Sequence, residues 1–392
     1  MALLPQRPDR YLHAPRLVLR DGGPELVCIA WFPAAREERV LRAPIDYAGA
    51  IGQELLGPAQ AAIVALTRGE RAEPTDDSDA ELREQRAALT VWVEHREGIC
   101  SVWLSGLACG DVLVFRARGT IAAPCLAGCE AGVWVAFHHD VREDTGEPDV
   151  AKWIALRFVD HAGAVFAPSA DMVERDRDRE GVEQSFEFPA LVVNARGAVS
   201  LFGRGSHNFW RQDLDQRGFS SRVPLSDGEW GSRGRHTAAL RVPSGILVAR
   251  RERKGIQLDL LPHADGEAPS LAPAKEDLSL PSPATRVAPS RARATRDTAG
   301  RHGLLTLFGD IQQHSAHSDG VGSADEVYVR ARERYGDDFV ALTDHESFLG
   351  KRTSPGEWEY LQRVAERYDT PGEFATLYAY EWTGRAFPGP GH

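Results

Sequence analysis

Short runs of alternating apolar and polar residues, separated by Gly, Pro and Asp turns, recur across residues 1–262. Alternation with a period of two is typical of β-strands that bury one face. The clearest runs begin near residues 89, 132, 189 and 237, a loose spacing of roughly 45 to 55 residues that is typical of β-propeller blades. We therefore predict an all-β, propeller-like N-terminal domain over residues 1–262, with a β-sandwich as the alternative.

Two stretches depart from this β pattern. In residues 46–88, Ala, Leu and Ile recur with helical periodicity around Ile51 and Leu55. This pattern predicts a short helical insertion. Residues 263–302 contain repeated prolines and no aromatic residue, which predicts an extended linker. The linker separates the β domain from a third segment, residues 303–392.

The third segment is predicted to read β-α-β-α-β. Apolar runs over residues 304–308, 339–342 and 375–380 indicate three strands. Between them, apolar residues at helical spacing predict two helices, the first of which ends before Gly336. Helices that connect strands in this way favour a parallel sheet, whose carboxyl ends meet at one edge.

Histidines and carboxylates follow each of these three strands. His314 comes after the first, Asp344 and His345 after the second, and Glu381 after the third. Imidazole nitrogen and carboxylate oxygen are the ligands that zinc, manganese and iron accept in proteins. The sequence therefore predicts a divalent-metal site at this edge of the sheet.

Three motifs in this segment resemble the opening motifs of the PHP (polymerase and histidinol phosphatase) superfamily. They are GDIQQHSAHSDG, FVALTDHESF, and YAYEWTG followed by GH. That superfamily comprises metal-dependent hydrolases, mostly phosphoesterases, on a distorted β/α barrel. The resemblance implies a multidomain protein with an α/β PHP-type barrel over residues 303–392, incomplete at its C-terminus. It also implies two or three divalent ions, with zinc, manganese or iron as the candidates.

The resemblance assigns roles residue by residue. Asp344 and Asp310 are the catalytic candidates, as side chains that orient the ligands, and His317 is expected to be exposed. Gln312 stands where the family has its first histidine, which weakens one metal position. The implied metal ligands are His314, Asp319, His345, Glu381 and His392.

Three functional hypotheses follow. The first is a PHP-type metal-dependent hydrolase, a phosphoesterase that acts on a small molecule through a metal-activated water. The second is a non-catalytic β-propeller scaffold for ligand binding or interaction, with a vestigial PHP domain. The third is a fragment of a longer enzyme, in which an oligomer or the missing C-terminal half completes the barrel.

Two motifs in the β domain leave alternatives open. Residues 203–211 hold Arg204, His207, Asn208 and Trp210, and either line a sugar or phosphate pocket or form an exposed connection between strands. The adjacent histidines at 138 and 139 point to opposite faces of a strand, so we do not expect them to bind one metal.

The composition of the chain limits the kinds of partner that the protein is expected to bind. The formal net charge of −11 argues against nucleic acid, because phosphate binding requires a basic face. No apolar run approaches the length of a membrane span and no leader opens the chain, so we expect a cytoplasmic protein without membrane partners. Five scattered cysteines are predicted to be buried thiols.

Overall fold

The computed structural model shows a large β domain followed by a small α/β unit. The structure describes the following parts of the chain. These are residues 2–5, 7, 9–20, 23–58, 89–96, 99–118, 120–140, 152–169, 187–204, 209–225, 237–252, 255–274, 306–315, 317–318, 320, 324–348, 351–353 and 355–383.

The described part of the β domain consists of strands joined mostly by tight turns. In chain order they are β1 (Ala2–Pro5), β2 (Tyr11–Arg20), β3 (Gly23–Phe32), β4 (Glu37–Pro44), β5 (Leu55–Pro58), β6 (Thr90–Arg96), β7 (Ile99–Leu107), β8 (Gly110–Arg118), β9 (Thr120–Cys129), β10 (Gly132–Asp140), β11 (Lys152–Asp160), β12 (Val165–Pro168), β13 (Glu187–Val193), β14 (Val199–Arg204), β15 (Phe209–Asp215), β16 (Gly218–Phe219), β17 (Val223–Pro224), β18 (Thr237–Val242), β19 (Gly245–Glu252), β20 (Gly255–Leu261) and β21 (Leu271–Pro273).

These strands form antiparallel sheets, which we call blades 1 to 5. Blade 1 has the order β2-β3-β4-β5, and blade 2 the order β6-β7-β8. Blade 3 is β9-β10-β11-β12 with β21 at its outer edge, and blade 4 is β13-β14-β15-β16, with β17 also on β15. Blade 5 is β18-β19-β20, to which β1 adds as the outer strand. The first strand of the chain therefore completes the last blade.

Apolar side chains fill the spaces between blades 2 and 3, 3 and 4, 4 and 5, and 5 and 1. Leu201 and its neighbour Phe202 on β14 are both buried, but they face opposite ways. Leu201 packs with Trp134 of blade 3, whereas Phe202 packs with Val248 of blade 5. Similar clusters join blade 2 to blade 3 and blade 5 to blade 1. Sheets stacked face to face in this order confirm the predicted all-β domain and its propeller-like arrangement.

Two segment predictions need correction. The described part of the predicted helical insertion, residues 46–58, contains turns and strand β5, which pairs with β4. The rest of that insertion, residues 59–88, lies outside the described residues. The predicted linker also begins too early, because Leu271–Pro273 pairs with β12 and therefore belongs to the β domain.

The C-terminal unit contains a small parallel sheet and two helices in its described part. The sheet has the order β22-β23-β26, and a two-stranded hairpin is formed by β24 and β25. The bounds are β22 (Gly309–Gln313), β23 (Phe339–Leu342), β24 (Ser347–Phe348), β25 (Lys351–Arg352), β26 (Ala375–Tyr378), α1 (Ala324–Val329), which continues as a π-helical segment (Arg330–Tyr335), and α2 (Pro355–Tyr368).

The predicted helices and the second and third strands are confirmed, but the first strand is displaced. It occupies residues 309–313 rather than 304–308. At Gly309 a Cβ atom would lie 2.1 Å from the carbonyl oxygen of Phe339, so only glycine allows the two strands to pair here. The first helix ends at Gly336, which has a φ of 67° and donates its backbone N–H to the carbonyl of Ala331.

The assignment to the PHP superfamily is wrong. The described residues are predominantly antiparallel β-sheet, and their α/β part is a three-stranded sheet with two helices rather than an α/β barrel. The motifs on which the resemblance was based are short, and they reflect strand ends with polar residues. Such ends arise in any parallel sheet that carries a polar edge.

The α/β unit packs on the β domain through side chains of blades 1 and 3. Tyr11 and Trp31 of blade 1 belong to the same buried cluster as Tyr360 of α2. The rings of Tyr11 and Tyr360 lie 5.3 Å apart. On blade 3, His138 Nε2 lies 3.1 Å from Glu326 Oε1 of α1. Apolar and polar contacts therefore fix how the two units sit together.

A buried ion pair closes the start of blade 1. Arg10 is 3% exposed and donates two hydrogen bonds to the carboxylate of Glu54, at 2.5 and 3.0 Å. These hydrogen bonds lower the pKa of Glu54, in opposition to its partial burial. Loss of the carboxylate would leave the Arg10 charge uncompensated in the interior.

We expect Glu54→Gln to destabilise the chain by about 1–3 kcal/mol at neutral pH, measured by urea denaturation. Because the folded-state pKa is lowered, the stabilisation by Glu54 is present above the usual glutamate pKa. It disappears as the pH falls through the lowered value, so wild type and variant should converge in acid. Glu25→Gln is the control, since Glu25 pairs with the half-exposed Arg20 and should cost less. Equal losses from both variants would contradict the role of Arg10 burial.

Candidate functional site

Three side chains predicted as metal ligands converge at the carboxyl edge of the parallel sheet. His314 follows β22, His345 follows β23 and Glu381 follows β26. The backbone brings them together, because His345 and Glu381 form a parallel bridge and Thr343 N donates to the carbonyl of Gln313 at 2.8 Å. Parallel strands necessarily end at one edge, so residues distant in sequence meet here.

The spacing of the three groups is that of a compact cluster. His314 Nε2 lies 3.0 Å from Glu381 Oε2, and His345 Nδ1 lies 3.9 Å from Glu381 Oε1. The two imidazole rings are 4.9 Å apart and nearly perpendicular. One candidate ligand atom from each residue lies within 4.8 Å of the others. His345 is almost fully buried, while the other two are partly accessible.

Neighbouring side chains hold the cluster in place. Gln312 Nε2 donates to Glu381 Oε2 at 2.9 Å, and His345 Nδ1 lies 3.0 Å from the hydroxyl of Thr383. Thr383 N in turn donates to the carboxylate of Glu346 at 2.8 Å. Sequence reasoning missed Thr383 and Glu346, since neither stands at a distinctive spacing from the histidines.

Asp344 organises the loop that carries His314. Its carboxylate accepts hydrogen bonds from Ser315 N at 2.8 Å, Ser315 Oγ at 2.6 Å and Ser318 Oγ at 2.6 Å. The loop then returns so closely that a Cβ atom at Gly320 would lie 2.2 Å from the carbonyl oxygen of His314. Asp344 therefore fixes the backbone and side-chain hydroxyls of the loop that follows His314.

Asp310 engages the first strand. Its carboxylate accepts a hydrogen bond from Gln312 N at 2.8 Å and another from the side chain of Gln313. Burial, together with the negative charges of Asp310 and Asp338, raises the pKa of Asp337 to about 6. Asp310 thus supports the residue that holds Glu381 and also shares an acidic group at the start of the strands.

The structure corrects the expectation for His317 and does not test those for Asp319 and His392. His317 is 6% exposed rather than exposed, and its ring lies 6.1 Å from that of Tyr360. The loop folds inward there because His317 N donates to Ser315 Oγ at 3.1 Å. Asp319 and His392 lie outside the described residues.

The cysteine prediction holds in part. Burial raises the pKa of both Cys28 and Cys125 to about 12, so these thiols are protonated at neutral pH and chemically inert. Cys100 is also buried, but Cys109 is exposed at the β7–β8 turn, contrary to the prediction.

Comparison with known proteins assigns no family. No protein-family model matches the chain, and no curated protein matches it either. Its structural neighbours include an endo-arabinase from Bacteroides thetaiotaomicron, with 9% identity over 68% of this chain and 100% of that one at a TM-score of 0.35. A GH43_1 enzyme from Xanthomonas citri has 13% identity over 69% and 93% of the two chains at a TM-score of 0.34.

A protein of unknown function from Dyadobacter fermentans is similar to the same degree. It has 10% identity over 67% of this chain and 81% of that one, at a TM-score of 0.33. Likenesses at these TM-scores do not carry an activity over to this chain, so its function must be argued from its own residues. Among the described helices, none has the length and apolar character needed to cross a membrane.

Asp344→Asn should loosen the loop over residues 314–318. An amide cannot accept all three hydrogen bonds, so we expect amide exchange at Ser315 to accelerate at least about tenfold, measured by hydrogen–deuterium exchange. Ser318→Ala is the matched control, because it removes a single hydrogen bond to the same carboxylate and should have a smaller effect. Unchanged exchange in Asp344→Asn would show that the loop is held by other contacts.

Proposed function

We propose that His314, His345 and Glu381 bind one divalent ion, and that the protein is a metal-dependent hydrolase whose blades bind the substrate. The observation that supports the metal site is the cluster of three ligand atoms within 4.8 Å of one another at one sheet edge. Two neutral imidazoles and one carboxylate form a ligand set that suits zinc, manganese or iron.

The dimensions of the cluster fit such an ion. Ligand bonds of about 2.0–2.2 Å place the ligand atoms of a tetrahedral ion roughly 3.3–3.6 Å apart. The separation of 3.0 Å between His314 Nε2 and Glu381 Oε2 lies just below this range, and one candidate ligand atom of each of the three residues lies within 4.8 Å of the others, so small side-chain movements suffice. A site with three protein ligands keeps a further position for water, which is the pattern of catalytic rather than structural sites.

The chain would prepare this site before any ion binds. Gln312 holds one oxygen of Glu381, and the Thr383 hydroxyl lies against His345 Nδ1. With Nδ1 occupied in this way, Nε2 of His345 is the nitrogen available as a ligand. A bound divalent ion would supply an activated water for hydrolysis and polarise the group under attack.

A non-catalytic scaffold is the second candidate, and a specific observation favours it. His314 Nε2 and Gln312 Nε2 lie 3.0 and 2.9 Å from the same oxygen of Glu381, so these side chains contact one another without an ion. In that case the three residues would tie the strand ends together, and the blades alone would bind a ligand.

Elemental analysis of the purified protein separates the two candidates. We expect about one equivalent of zinc, manganese or iron per chain in wild type, and loss of it in His345→Ala and His314→Ala. His161→Ala is the control, because His161 is exposed in a turn of blade 3 and contacts only the carbonyl of Glu130 in the described part. It should keep the metal.

Activity is tested separately on the metal-loaded protein. Hydrolysis of chromogenic carboxylic esters or glycosides that is lost in His345→Ala but kept in His161→Ala would support the hydrolase. Metal binding without hydrolysis would support a metal-bearing scaffold. A wild-type protein that takes up no metal at saturating concentrations would refute the metal site and leave the scaffold.

A further inference from the structure

Arg204 is a buried cation at the end of strand β14. It is 2% exposed, and its Nε and Nη1 atoms have no hydrogen-bond partner among the described residues. Removing a guanidinium from water is strongly unfavourable unless an anion or several acceptors replace the water. A fold that retains such a residue requires a compensating group.

The charge of a second arginine beside it, Arg250, is compensated by an ion pair. Arg204 and Arg250 both lie over the Phe209 ring, with their guanidinium carbons 5.9 and 5.7 Å from its centre. Arg250 forms an ion pair with Asp259 and donates to the carbonyl of Leu225 at 2.9 Å. The aromatic ring offers Arg204 a weak attraction only, so its positive charge has no paired anion among the described side chains.

This charge lies on the face of the β domain that carries the α/β unit. Arg204 pairs with Glu187 in the register of β13 and β14. The next residue, Phe188, donates its N–H to His138 Nδ1 at 3.2 Å, and His138 in turn contacts Glu326 of the α/β unit. Arg204 is thus at the same end of the blades as the contact between the two units.

We propose that Arg204 is an anion-binding residue that takes a carboxylate or phosphate group of a small molecule between blades 4 and 5. The planar guanidinium fork matches either group through two parallel hydrogen bonds. This site is formed by the blades alone and does not depend on an ion at the histidine cluster.

The test uses inorganic phosphate and succinate as probes with the full chain at low ionic strength. Titration calorimetry should show saturable binding of at least one probe, and comparing the two separates phosphate from carboxylate recognition. We expect Arg204→Gln to weaken binding at least about tenfold, since it removes a charged hydrogen-bond pair. Arg204→Lys keeps the charge but loses the fork, so its affinity should be intermediate.

Arg217→Gln is the matched control for loss of one positive charge. Arg217 is exposed and pairs with Asp215 at the opposite end of blade 4, so this variant should bind like wild type. Failure of both probes to bind wild type, or equal binding by Arg204→Gln, would overturn the proposal. If Arg204→Gln does not fold, the comparison of wild type with Arg204→Lys decides it, and equal affinities would refute it.

Discussion

Burial of both faces of the central blades is the constraint on which the β domain depends. In blade 4, all six residues of β14 are buried, with alternate side chains packed against blades 3 and 5. A sheet that is apolar on both faces cannot be left open to water on either, so blade 4 requires a neighbour on both sides. Pairing of β1 with β20 then ties the start of the domain to its last blade. Tyr11 and Trp31 of this stacked assembly pack against the α/β unit.

In the α/β unit, the sequence pattern correctly predicted individual strands and helices but led to the wrong protein family. The strand over residues 339–342 and the helices that pack on it agree with the sequence, because apolar periodicity responds to burial at each position. The prediction of a PHP barrel was wrong because it inferred the whole architecture from short motifs. Short motifs constrain the ends of strands but do not determine how many strands a sheet contains or what covers them.

The proximity of three candidate ligands could be predicted from local sequence pattern, whereas the contacts that surround them depend on tertiary packing. His314, His345 and Glu381 could be chosen because each follows an apolar run, and parallel strands bring their ends together. Thr383 could not be chosen, since its contact with His345 depends on the path of the chain beyond β26. The burial of His317 and the contact of His138 with Glu326 likewise depend on the packing of helices against other elements.

The sequence by itself determined the strand pattern of the β domain, the two helices of the α/β unit and the candidate ligands, because periodicity and turn residues act over a few positions. Only the tertiary structure decided that blades stack on both faces, that Gln312 holds Glu381, and that Nε and Nη1 of Arg204 are buried without a hydrogen-bond partner among the described residues. These outcomes depend on which surfaces meet across large sequence separations. The free energy of such contacts comes from burial and charge compensation in the folded chain, and no local pattern encodes either.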